Sequence, residues 1–131
     1  MIIDCHNHLG ADLMFYLRGE YPYCQDMPTL EHHGSLNGVD AFIVFPMVLY
    51  SALNIQKLRS GEIELGGGLE TVPYALENRR MMQEIFDLFP QMGRKTLPFA
   101  MLDPYRRQAA QIEELRKLKE QYRINGLKIQ S

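Results

Sequence analysis

Apolar residues along the chain fall into four short runs separated by longer mixed stretches. MIIDC (1–5), VDAFIVF (39–45) and TLPFAML (96–102) are nearly continuous and rich in β-branched and aromatic residues, the pattern of strands buried on both faces. LKIQ (127–130), preceded by Gly126, supplies a fourth strand. The stretches between them carry a different period. Tyr74, Leu76, Met81, Met82, Ile85, Phe86, Leu88 and Phe89 lie on one face of a helix over 73–89. Ala109, Ile112, Leu115 and Leu118 do the same in a helix ending near Tyr122, with Asp103 as its N-cap and Pro104 at its first position. Thr29 caps a short helix to about Leu36, which Asn37-Gly38 stops. A further helical piece is expected over Ser51–Arg59, and GEIELGGGLETV after it reads as loop. Residues 11–28, with Gly19, Pro22 and Pro28, read as a long loop holding at most one helical turn.

The order strand, helix, strand, helix, strand, helix, strand predicts an α/β fold. Its sheet is parallel, with right-handed crossovers, and residues 1–131 form a single domain. In such folds the chemistry gathers at the carboxyl ends of the strands. The first strand runs directly into His6 and His8 there. Alternate residues of a strand share a face, so both imidazoles project one way and can chelate a divalent metal such as zinc. Asp4 falls on the same face one layer deeper, where it can orient a histidine as a hydrogen-bond acceptor. Asp103, Lys128 and Gln130 stand at later strand ends and are candidate site-lining groups, although a cap for Asp103 and a protective edge charge for Lys128 explain them equally well.

The other histidines carry less. His32 and His33 are adjacent in a helix, about 100° apart, and read as exposed surface residues. The Gly66-Gly67-Gly68 run lacks the Lys-Ser/Thr of a phosphate loop and the spacing of a dinucleotide fingerprint. A net charge of −2 gives no reason to expect nucleic acid or an anionic membrane as partner, and the basic residues near the C-terminus alternate with Glu and Gln on a solvated helix face. Cys5 and Cys24 do not make a secreted disulfide framework. With no basic-then-apolar leader and no apolar run of ~20 residues, the setting expected is cytoplasmic.

The motifs IIDCHNHLG, NGVDAFIVFPM, LPFAMLDP and NGLKIQ, with Asn78 opening a helix that ends in Phe89-Pro90, resemble the amidohydrolase superfamily. Within it they are most similar to the amidohydrolase-related branch that includes aminocarboxymuconate-semialdehyde decarboxylase. The likeness covers most of the chain outside 11–28 and 47–70. It implies a metal-dependent (β/α)8 barrel of the TIM type. Its members hydrolyse C–N or C–O bonds, or decarboxylate small unsaturated acids, through a metal-activated water. His6 and His8 take the place of the metal-binding HxH pair. Gln130 stands where many relatives have histidine. Such barrels run to ~250 residues and eight strands, whereas this chain has 131 residues and four expected strands. The resemblance therefore implies an N-terminal half without the later histidine and aspartate ligands.

The expected partner is a small-molecule substrate, together with a complementing C-terminal half or a second copy in a homo-oligomer. The alternative to an enzyme is a non-catalytic half-barrel module that assembles through its open edges. A TatD-type nuclease also opens with HxH, but usually carries Gly-Glu where this chain has Gly126-Leu127-Lys128.

Overall fold

The computed structural model describes residues 1–12, 23–47, 57, 59–62 and 72–129. Strands β1 (Ile3–Asp12), β2 (Tyr23–Gln25), β3 (Ala41–Pro46), β4 (Thr96–Leu102) and β5 (Gly126–Ile129) form one sheet in the order β2-β1-β3-β4-β5. The pairs β1–β3, β3–β4 and β4–β5 are parallel, and β2 alone runs antiparallel, against Gly10–Asp12. Among the described residues three helices alternate with the strands: α1 (Met27–Leu36), α2 (Ala75–Gln83) and α3 (Gln108–Gln121). A π-helical turn over Glu84–Leu88 extends α2. The fold is thus mixed α/β with a mostly parallel sheet, as the alternation of periods implies. The expected helix at 51–59 and the glycine run at 66–68 lie outside the described residues, apart from 57 and 59.

The helices cover one face of the sheet. Leu9, Phe42, Val44 and Ala100 from the strands pack with Met27 and Leu30 of α1, Met81 and Met82 of α2, Ile85 of the π-turn and Leu118 of α3. Each such burial is worth roughly 1.5–3 kcal/mol for a large aliphatic or methionine side chain. Gly34 lets α1 approach closely, because a Cβ there would stand 2.1 Å from the Phe42 ring.

Several boundaries differ from expectation, each for a local reason. The first strand continues through the histidines to Asp12 instead of ending at them, because β3 and then β2 supply main-chain partners along it. Its first residues are exposed, since the edge of β1 opposite β3 has no strand below Gly10 among the described residues. Helix α1 begins earlier than Thr29: Asp26 is its cap and accepts from the Thr29 N–H at 2.8 Å, with Pro28 in the first turn. Helix α3 begins later than Pro104. The Asp103 carboxylate instead accepts from the Tyr105 N–H and pairs with Arg106, and the helix starts only after Arg107, at φ 44°.

Strand β4 outruns β3, whose last pairing with it is Val44–Pro98. Pro98 directs its carbonyl toward the β5 side, where it accepts from Asn125. In a strand, residues 99, 101 and 103 then face the vacated side with their main-chain groups. Two buried amides occupy that side. Asn78 of α2 accepts from the Met101 N–H at 2.7 Å and donates to its carbonyl at 3.0 Å. Gln111 of α3 makes the same two bonds to Asp103, both at 2.9 Å. Each amide thus replaces one residue of a missing strand, and keeps buried main-chain groups paired.

Candidate metal centre

The face of the sheet opposite the helices carries His6, His8, Phe45, Phe99 and Lys128. The β1–β3 register sets which residues reach it. His8 aligns with Phe45 and Asn7 with Val44, but Asp4 aligns with Phe42, so one extra β1 residue is inserted between Asp4 and Asn7. This is a β-bulge, and it breaks the alternation that the sequence reading assumes. Asp4 therefore falls in register with the helix-side residues Phe42 and Val44, not with the imidazoles. Its carboxylate accepts from the main-chain N–H of His6 at 3.3 Å rather than from a ring nitrogen. Asn7, buried on the helix side, braces the bulge by donating to the carbonyl of Ile43 at 3.3 Å.

His6 lies within the bulged segment and His8 just beyond it, and the two imidazoles converge. Their Nε2 atoms stand 3.1 Å apart. Both rings lie against Phe45, with centroids at 5.2 and 5.6 Å. His8 Nδ1 lies 3.3 Å from the carbonyl of Pro46, which can only accept. That contact places the proton on Nδ1 and leaves the His8 Nε2 lone pair to accept a hydrogen bond from His6 Nε2 in the metal-free chain. The orienting acceptor is thus a strand-end carbonyl rather than Asp4. Gln25 donates to the His8 main-chain carbonyl at 3.2 Å and fixes β1 from its other side.

Two ligand nitrogens on a tetrahedral zinc, each bonded at ~2.0–2.1 Å, lie ~3.3 Å apart. The 3.1 Å separation here is close to that. The donor set fits a divalent cation on two of its positions. Among the described residues, no group of three His, Cys, Asp or Glu side chains converges to complete it.

Lys128 of β5 completes the cluster. Its Nζ stands 3.4 Å from His8 Nε2 and 4.3 Å above the Phe45 ring. Burial lowers its pKa. Burial is also the largest influence on His8, whose pKa falls below 6.5; the Pro46 carbonyl opposes the fall, and Lys128 and His6 add to it. A neutral imidazole is the form that can ligate a metal. Gly126, next to Phe99, has no room for a side chain, because a Cβ would lie 2.5 Å from that ring. Phe99 in turn meets Phe45 edge-on at 5.8 Å, so the polar cluster rests on an aromatic floor.

The remaining expected site residues are dispersed. Asp103 is at the end of β4, held by Arg106 and the Tyr105 N–H, and both contacts keep its carboxyl below the ordinary range. Arg106 lies 5.9 Å over the Tyr74 ring. Gln130 is outside the described residues. His32 and His33 are exposed on α1, as expected. A cleft of about 390 Å3 opens between Gly10, Met47 and α2, with Glu77, Arg80 and Glu84 in its lining, but neither histidine borders it.

Sequence reasoning gave no structural or site role to Phe45, Pro46 and Gln111, and used Asn78 only as a point of resemblance. The amides had a signal: each interrupts an apolar helix face, Asn78 in phase with Met81 and Met82, and Gln111 in phase with Leu115 and Leu118. No family model matches the chain, no curated protein matches it, and no solved structure matches it.

Proposed function

We propose that this chain carries the first half of a metal-dependent hydrolase centre. In this reading His6 and His8 hold a divalent cation, zinc above others, on the open face of the parallel sheet. The convergence of the two Nε2 atoms at 3.1 Å, with His8 fixed in tautomer by Pro46, is the observation that carries it. When bound, such a cation supplies Lewis acidity for C–N or C–O hydrolysis, or for decarboxylation, of a small molecule. The chain's own residues bind and orient. The Pro46 carbonyl holds the ring of His8, Phe45 walls one side against water, and Lys128 is placed to meet an anionic group of a substrate.

Two imidazoles leave most of a cation's positions to water or to another chain, so weak binding is expected of this chain alone. Calorimetric titration with zinc tests this. The parent chain binds one equivalent, and the His6→Ala/His8→Ala double variant loses that binding. Indistinguishable titrations of parent and double variant would refute the reading.

A further inference from the structure

The four parallel strands end in two unlike edges. On one side, β1 is paired by β2 only at Gly10–Asp12, and Gln25 takes the carbonyl of His8. From Ile3 to Asn7 that edge has no strand beside it among the described residues. Ile2 and Ile3 are 55% and 43% exposed there. On the other side, β5 has no neighbour beyond β4 among the described residues. Leu127 and Ile129 are 52% and 64% exposed. An apolar groove of about 340 Å3 runs between β5 and α3, lined by Ile112, Leu115, Arg116, Lys119, Ile124 and Leu127. Open edges beside exposed aliphatic side chains favour strand pairing.

We propose that two copies of this chain associate through these edges, β1 of each lying parallel to β5 of the other. Charge argues for a second copy as the occupant. Helix α3 runs opposite to the strands, so its C-terminal end, with Lys119, stands at the end of the sheet where the strands begin. Exposed Asp4 and Asp40 stand at that same end of β1 and β3. Parallel pairing brings the acidic start of β1 to the basic rim of the groove. Among the described residues Arg116 pairs with Glu113, at 3.8 Å on the surface, and Asp40 with the chain's own amino end. The two-fold operation makes both contacts at once, and eight strands closed this way have no parallel edge left over. The closed interior is one that side chains alone can fill. Phe45, Phe99, Lys128 and the histidines already face it, and the partner copy adds a second His6 and His8 to the same interior. The inference rests on the edges and not on the metal.

Sedimentation velocity from micromolar to hundreds of micromolar, in the presence of a chelator, tests it. The parent chain sediments as a dimer at the upper end. Lys119→Glu and Asp40→Lys each raise the dissociation constant about ten-fold, and the double charge swap recovers the parent value. Leu127→Lys, which places a charge in the apolar contact, abolishes the dimer. Circular dichroism matching the parent qualifies each variant, and the two surface reversals keep the test intact if Leu127→Lys fails to fold. A monomer at every concentration overturns the proposal. So does a dimer indifferent to both reversals, or one that the double swap fails to restore.

Discussion

Replacing Asn78 by leucine keeps a side chain of similar size between α2 and β4 but removes both partners of Met101. The Met101 N–H and carbonyl lie on the side of β4 that β3 has vacated, and the bonds lost are those at 2.7 and 3.0 Å. Leaving a buried polar group unpaired costs about 1–3 kcal/mol, so two cost about 2–6 kcal/mol. The added apolar contact of leucine offsets only part of this, and a net loss of about 2–4 kcal/mol is expected. That is a large share of the ~5–15 kcal/mol that holds a domain together. Urea unfolding followed by circular dichroism should show the midpoint falling by about 1 M or more, at a slope typical of small domains. Hydrogen exchange should show the Met101 amide losing its protection first. A loss below about 1 kcal/mol with Met101 still protected would mean that β4 finds other partners, and would refute the strand-substitute role of Asn78.

Asp26→Ala should cost about 1 kcal/mol through loss of the cap on α1, read as a lower urea midpoint. His8 carries a pKa lowered chiefly by burial, so the unfolded chain takes up its proton first as pH falls. Its contribution to stability is therefore complete above pH 6.5 and is lost progressively below it; parent and His8→Gln stabilities compared across that range should show a shallower decline in the variant. Lys128→Met removes the ammonium 3.4 Å from His8 Nε2 and should tighten zinc binding severalfold, measured by competition with a chromogenic chelator. Unchanged or weaker binding would show that Lys128 does not oppose a cation there.

Strands β3 and β4 were legible because their apolar runs are continuous, and both are packed from each side. Helix α2 was legible for the complementary reason, a single apolar face of helical period. What the pattern could not carry was geometry set by partners distant in the chain. Tyr23–Gln25 has no strand pattern of its own and becomes β2 only because Gly10–Asp12 offers it an edge. Asp103 looked like a helix cap, but its carboxylate is taken by Tyr105 and Arg106 within the turn. That His6 and His8 share a face followed from their spacing and their place on the first strand, and their rings do meet. The orienting partner of His8 did not follow, because a bulge between Asp4 and Asn7 is invisible to a count of alternate positions, and the Pro46 carbonyl arrives from a neighbouring strand.

The central claim is that His6 and His8, among the chain's four histidines, are the pair arranged to hold a cation. Long-range proton–nitrogen correlation spectra of the imidazole rings during a zinc titration address it residue by residue. The account predicts that the Nε2 resonances of His6 and His8 shift together, while His8 Nδ1 stays protonated and His32 and His33 stay in place. Zinc that moves His32 and His33 first, or all four rings alike, would contradict it.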